Sequence, residues 1–368
     1  MFNQAVFPGK YIQGAGALQE LPALSRSLGG SGLLLASPTV RRKILPGSGL
    51  EARCADLHIE EFGGECCEEE LSRVAELVST RQARFLAGMG GGKTIDTAKI
   101  AADRANIPVL VIPSIASTDA PCSGCAVLYR RDGVFERVFY QKANPFAVLV
   151  DSAVIAAAPV RFLVAGMGDA LATWFEARSC QQSQSVNECG GRCTLAGAAL
   201  AKLCYDTLLE YGWVAKLAAE KHLVTPALEK IIEANILLSG IGFESAGLAA
   251  AHAVHNGLTA LNQTHAFYHG EKVAFGVLTG LQLTGAGQPE TAAVYDFCQQ
   301  VGLPLTLADL GLAEVSRQQL LPAAELACAP EQPISHEGGE MTPARVLDAM
   351  LAADALGAAW KAAAKARP

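Results

Sequence analysis

Long apolar runs are missing from this 368-residue chain. A membrane span needs about 18 or more such residues in a row, and none occurs, so no spanning segment is expected. Met1–Lys10 (MFNQAVFPGK) lacks a charged start followed by an apolar stretch, so no secretory leader is expected. Basic runs are also scarce. The densest is Arg41-Arg42-Lys43, and the formal charge is −7. Nucleic-acid binding needs a basic face or stripe, so no nucleic-acid partner is expected. The 11 cysteines are odd in number and scattered, in a chain too long to need disulfide staples. They read as reduced thiols, which places the expected location in the cytoplasm. No internal repeat or low-complexity linker is visible.

What is present is apolar and long enough for two domains. Hydrophobic residues make up 51% of the chain and charged ones 18%, below the usual quarter, which favours a compact globule. In the first part, Ser31–Ser37, Arg84–Met89, Ile107–Pro113 and Phe146–Asp151 are short apolar runs bounded by Gly, Pro or polar residues. Such runs suit strands buried on both faces of a parallel sheet. Helical stripes at Glu68–Ser79 and Thr94–Arg104 lie between them, so residues 1–157 read as an α/β domain. Gly124–Gln141 breaks the rhythm: two β-rich runs flank Arg131-Asp132-Gly133, and Asp-Gly is a strong hairpin cue. After about Ala157 Ala and Leu dominate, and residues 158–368 read as an all-helical domain. Thr342-Pro343 reads as an N-cap followed by the first helical position of a helix running toward Ala362.

Two clusters carry chemistry. Gly88-Met89-Gly90-Gly91-Gly92-Lys93-Thr94 sits where a strand should end and a helix begin. A helix N-terminus offers free N–H groups to a phosphate, and bare glycine lets the backbone approach it. The run is not a P-loop, because Ala87 stands where that motif has glycine. Nor is it G-x-G-x-x-G, since Lys93 ends the pattern begun at Gly88. Alone, it does not choose between ATP and a dinucleotide. The second cluster is histidine: four of seven fall between His252 and His269. His252 and His255 share a helical face, and His265 and His269 follow four apart. Imidazole is the commonest metal ligand, so clustering favours a metal for at least two of them. Asp169, in Gly166-Met167-Gly168-Asp169-Ala170-Leu171, is a candidate carboxylate at the expected start of a helix. It reads equally as an N-cap, and spacing alone does not join it to the histidines.

Taken in order, the glycine run, Ser117–Ser123 (STDAPCS), Gly166–Leu171, Ala249–Leu258 (AAAHAVHNGL) and His269-Gly270-Glu271-Lys272 closely resemble the metal-dependent group often called iron-containing alcohol dehydrogenases, in particular its polyol-oxidising members. The likeness runs from Pro8-Gly9-Lys10-Tyr11 to the last helices. It implies a Rossmann-like, dinucleotide-binding α/β domain with a parallel sheet, followed by an all-α domain. It implies oxidation of glycerol or a similar vicinal diol to dihydroxyacetone or its counterpart, with hydride passing to NAD and a metal polarising the hydroxyl. The implied metal ligands are Asp169, His252 and His269, with His255 and His265 as neighbours. Iron-using relatives add a histidine one turn after the aspartate, where this chain has Thr173. Three protein ligands with an open fourth position is the arrangement of catalytic zinc, so Zn2+ is expected ahead of Fe2+.

The same resemblance assigns the cofactor to Gly90, Gly91, Gly92, Lys93 and Thr94 at the pyrophosphate. It adds Ser114, Ile115, Ala116, Ser117, Ser123, Cys125 and Tyr129 around the ribose and nicotinamide. Asp119 matches the position that holds the polyol, and an acid can accept hydrogen bonds from its hydroxyls. One departure stands out: Ser37 replaces the aspartate that binds the adenosine ribose, with Arg41, Arg42 and Lys43 close behind. Loss of an acid there admits NADP, although NAD remains the first expectation. Relatives usually assemble from several identical subunits, which makes a homo-oligomer the expectation. The competing readings are a dehydroquinate-synthase-like lyase, an ATP-dependent transferase and a non-catalytic nucleotide or metal binder.

Overall fold

The structure is a computed structural model, and it describes residues 2–365. The chain forms two compact units. One holds Phe7–Val160 and Ala218–Gly240, and the other holds the segment ending at Val6, Arg161–Leu217, and the chain from Ile241 onward.

The first unit is built on eight strands: β1 (Tyr11–Gly14), β2 (Gly32–Ala36), β3 (Leu57–Glu61), β4 (Leu86–Gly90), β5 (Val109–Pro113), β6 (Cys125–Tyr129), β7 (Phe135–Tyr140) and β8 (Ala147–Asp151). Six form a parallel sheet in the order β1-β8-β5-β4-β2-β3. Every residue of β2, β4, β5 and β8 is buried, as expected of continuous apolar runs covered on both faces. The edge strands β1 and β3 are partly exposed and read YIQG and LHIEE. Neither carries an apolar run, which is why the sequence pattern does not show them. β6 and β7 pair antiparallel, and the turn between them passes through Gly133 at φ 82°, in the left-handed region that glycine tolerates.

The order in which strands are added reverses at β2, which has β3 on one side and β4 on the other. In open α/β sheets, ligands bind outside the carboxyl ends of the strands at such a switch point. Helices α1 (Glu68–Thr80) and α2 (Gly92–Ala105) follow β3 and β4. Residues 218–240, which the sequence reading placed in the helical half, belong to the sheet unit. Gln13 Nε2 donates to Glu229 Oε2 at 2.7 Å, and Asn235 Nδ2 to the Ala116 carbonyl at 3.1 Å.

The second unit is helical. It contains α3 (Val160–Ser183, starting at the unit boundary), most of α4 (Leu195–Glu220), then α5 (Ala250–Leu258), α6 (His269–Thr284) and α7 (Pro343–Lys365). Thr342 caps α7, accepting from the Arg345 N–H through Oγ1 at 3.3 Å, with Pro343 in the first helical position as expected.

One local expectation is corrected. Asp169 does not start a helix; α3 begins at Val160 and carries it deep in its interior. Gly168 serves packing: a Cβ there would sit 2.3 Å from the Gly270 carbonyl oxygen of α6. All eleven cysteines are free thiols. No single helix among the described residues is long and apolar enough to cross a membrane.

Candidate active site

Three helices of the second unit bring Asp169, His252 and His269 together. One ligand atom from each lies within 4.8 Å of the others, and this is the one such group among the described residues. His269 Nε2 is 3.0 Å from Asp169 Oδ1, and His252 Nε2 is 3.5 Å from the same oxygen. Asp169 is fully buried. Burial alone would raise its carboxyl, but His269 and His252 beside it hold it well below the usual carboxylate range. Burial likewise opposes charge on His252, yet the Glu176 and Asp169 carboxylates keep its imidazole well above the ordinary histidine value. His255 is pushed well below it by burial and by the neighbouring His269 and Lys272.

The surroundings fix these side chains. Glu176 lies two turns after Asp169 on α3, and its Oε2 is 2.6 Å from His252 Nδ1. Its other oxygen, Oε1, accepts the backbone N–H groups of Ala249 and His252, each at 2.9 Å. His269 Nδ1 is 3.0 Å from His255 Nε2. His265 stays apart, with Nε2 2.9 Å from the Thr259 carbonyl. Thr173, one turn after Asp169, is buried, and its Cγ2 would be 2.5 Å from a Cβ on Gly242, so its methyl is packed against that backbone.

The donor set fits a divalent ion. When neutral His252 donates a hydrogen bond from Nδ1–H to Glu176, Nε2 turns a lone pair toward the Asp169 carboxylate. A cation between the two satisfies both. One carboxylate and two imidazoles suit zinc or another borderline metal.

In the sheet unit, Ser37, Gly90–Thr94 and Ser114–Ser117 follow the carboxyl ends of β2, β4 and β5, whereas Ser123 lies in the next loop and Cys125 and Tyr129 in the hairpin. Ser37 follows β2 and donates its N–H to the Met89 carbonyl at 2.9 Å, while Ser114, after β5, donates to Gly90 at 2.9 Å. A Cβ on Gly90 would meet Thr94 Oγ1 at 2.7 Å and Ser37 Cβ at 3.0 Å. Glycine here permits close packing, whereas a Cβ on Gly92 would meet nothing within 4 Å. Gly91 precedes the first turn of α2, and no side chain caps that end. A Cβ on Gly91 would sit 3.1 Å from Ile115, and Ala116 is held by Asn235. Lys93 is engaged elsewhere: its Nζ is 2.5 Å from Glu65 and lies over the Tyr129 ring at 4.9 Å.

The loop from Ser117 to Cys125 rests on a fully buried amine. Lys99 Nζ donates to the carbonyls of Ala120 (2.7 Å) and Cys125 (2.6 Å) and to Ser123 Oγ (3.3 Å). Asp119 is buried, and its Oδ2 accepts from Ser239 Oγ at 2.8 Å. Sequence reading missed Glu176, Glu65, Lys99 and Ser239. Only Glu176 had a visible cue, since its seven-residue spacing from Asp169 returns it to the same helix face.

A parallel sheet with a glycine turn at its switch point and a carboxylate–imidazole centre in a helical unit define a metal-dependent dehydrogenase. Residues 8–152 match the family model described as iron-containing alcohol dehydrogenase. A glycerol dehydrogenase of Thermotoga maritima is 48% identical over 97% of this chain and 98% of its own length. A glycolaldehyde reductase of Halobacterium salinarum is 42% identical over 95% of this chain and 96% of its own. The solved structure of a probable glycerol dehydrogenase from Sinorhizobium meliloti aligns with a TM-score of 0.91 at 46% identity, covering 97% and 99% of the two chains. The chain belongs to the iron-containing alcohol dehydrogenase family, alongside glycerol dehydrogenases, and is an oxidoreductase.

Proposed function

We propose that this chain oxidises glycerol, or a related small vicinal diol, to dihydroxyacetone or its counterpart, with NAD as hydride acceptor. The observation that carries the reading is the convergence of Asp169, His252 and His269, in a chain 48% identical to a glycerol dehydrogenase over nearly its whole length. These three residues would hold the metal, and zinc suits them better than iron because Thr173 offers a packed methyl where a fourth imidazole would stand. When bound, the ion supplies Lewis-acid polarisation of a substrate hydroxyl.

The chain's own residues do the rest. Ionised Asp169 contributes the negative charge that draws a cation into the site, and Glu176 holds His252 with Nε2 facing it. The α2 N-terminus, opened by Gly91 and Gly92, offers backbone N–H groups to the pyrophosphate. Gly90, Lys93, Thr94, Ser37 and Ser114–Ser117 line the same strand ends, and Ser123, Cys125 and Tyr129 belong to the hairpin and loop beside them. Lys93 reaches a phosphate only by leaving Glu65. Asp119, fixed by Ser239, accepts hydrogen bonds from polyol hydroxyls and so favours diols over simple alcohols. By the same likeness the enzyme works in the cytoplasm as an assembly of identical subunits.

A second reading, reduction of a small hydroxyaldehyde, draws on the 42% identity to a glycolaldehyde reductase and uses the same residues in reverse. Nicotinamide absorbance decides between them. Glycerol and propanediol are assayed with NAD or NADP, and dihydroxyacetone and glycolaldehyde with the reduced cofactors. Metal-dependent turnover of glycerol ahead of glycolaldehyde is expected. Silence with all four substrates would remove both readings and leave a lyase or a non-catalytic binder.

A further inference from the structure

The helix that presents His252 begins in an unusual way. Gly247 takes φ 108° and Ala249 takes φ −151°, ψ −129°, so α5 starts from an irregular turn without a capping side chain of its own. Its first N–H groups go instead to two buried carboxylates from elsewhere in the unit. Glu176 takes the N–H groups of Ala249 and His252 on Oε1, and Glu337 takes that of Ala250 on Oε1 at 3.2 Å. The two acids differ in one respect. Glu176 Oε2 meets the His252 ring, whereas Glu337 Oε2 accepts from Ser179 Oγ at 2.7 Å.

We infer that Glu176 is a positioning residue for the metal centre, setting both the place and the tautomer of His252. The inference rests on the metal role proposed above for Asp169, His252 and His269. One carboxylate holds the His252 backbone through Oε1 and its ring through Oε2, so the ring is tied to a group that the start of its own helix keeps in place. Only a carboxylate serves on both sides. Its two oxygens are acceptors, and the three groups facing it are two backbone N–H donors and Nδ1. Nδ1 must then donate, and Nε2 is left with a lone pair for the ion. A glutamine fails in either orientation. With its NH2 toward the ring, Nδ1 becomes an acceptor and the ring proton moves to Nε2; with its NH2 toward the backbone, donors face donors. Carboxylates behind metal-bound histidines commonly govern affinity in this way.

Zinc affinity of the full-length Glu176→Gln protein, measured by competition with a chromophoric chelator, is expected to fall about 10- to 100-fold. The visible spectrum of its cobalt form should shift as well. Glu337→Gln removes a carboxylate from the same helix start without touching His252. Its amide can still accept the Ala250 N–H and donate to Ser179 Oγ, so it should leave zinc affinity and the cobalt spectrum at wild-type values. Wild-type affinity in Glu176→Gln, or an equal loss in Glu337→Gln, would reduce Glu176 to a helix cap. A wild-type protein that binds neither ion would instead overturn the metal reading itself, and the inference with it. Proton–nitrogen correlation spectra of histidine-labelled wild-type protein need no variant. The zinc-loaded His252 must carry its proton on Nδ1, and a proton on Nε2 contradicts the assignment.

Discussion

Gly168 and Gly270 lie backbone to backbone where α3 crosses α6. A Cβ on Gly168 would come within 2.3 Å of the Gly270 carbonyl oxygen, and a Cβ on Gly270 within 1.8 Å of the Ala165 carbonyl oxygen. Asp169 and His269 are the next residue of one helix and the preceding residue of the other. Their 3.0 Å contact therefore depends on a helix approach that only glycine allows.

Gly270→Ala should separate the two helices. Overpacking of this kind costs about 1–3 kcal/mol, and here it should also weaken metal binding. Gly280→Ala, on the same helix, provides the contrast. Its Cβ would have Ala250 Cβ at 3.8 Å, an ordinary contact. It should stabilise by about 0.4–1 kcal/mol through loss of unfolded-state freedom. Urea unfolding and zinc titration of both variants check the pair; equal effects would remove the packing argument.

The glycine turn separates folding from binding in the same manner. Gly90→Ala would press on Thr94 and Ser37 and should destabilise the fold. Gly92→Ala meets nothing within 4 Å, so its melting temperature should equal or slightly exceed wild type, as for Gly280→Ala. Its cofactor KM should nevertheless rise about tenfold, the effect of about 1.4 kcal/mol lost from a close backbone approach. An unchanged KM would move the pyrophosphate elsewhere.

Asp96 gives a pH dependence that is independent of the metal. Its carboxyl is buried on α2, and burial raises it to about 6 against the opposing pull of Lys99 and the Val127 N–H. The unfolded value is about 3.9, so the folded state holds the proton more tightly. The associated stability is fully present below about pH 4 and is lost as pH rises through about 6. Two units correspond to about 3 kcal/mol. Relative to wild type, Asp96→Asn should therefore gain about 2 kcal/mol on going from pH 4 to pH 7. Urea midpoints at the two pH values test it, and parallel curves would contradict it.

Ser37 sits beside Gly90 at the end of β2 and accepts the Val40 N–H on Oγ at 3.3 Å. Arg42, a few residues on, pairs with Glu61 at 3.2 Å. Ser37→Asp introduces an acid of the kind that binds ribose hydroxyls and repels a 2′-phosphate. The ratio of kcat/KM for NADP over NAD should fall about tenfold or more, a difference of about 1.4 kcal/mol. A constant ratio would place cofactor choice at other residues.

Much of this was legible in the residues, for physical reasons that also mark the limits. β2, β4, β5 and β8 are continuous apolar runs because both faces are covered, and the Asp-Gly turn announced the hairpin. β1 and β3 carry no such signal because a sheet edge does not demand it. The interior position of Asp169 was hidden because a glycine that admits a neighbouring helix looks the same in sequence as one that ends a helix. The Glu65–Lys93 and Asp119–Ser239 contacts join residues far apart in the chain, and no local pattern encodes them.

On the proposed function, Asp169, His252 and His269 hold one ion on which turnover depends. Metal content and glycerol oxidation measured together on wild type and His252→Ala test it most directly. Expected are one divalent ion per chain in the wild type, activity that rises in step with zinc added back after chelation, and loss of both in His252→Ala with nucleotide affinity intact. Full turnover in the chelated wild type, or in a metal-free His252→Ala protein, would contradict it.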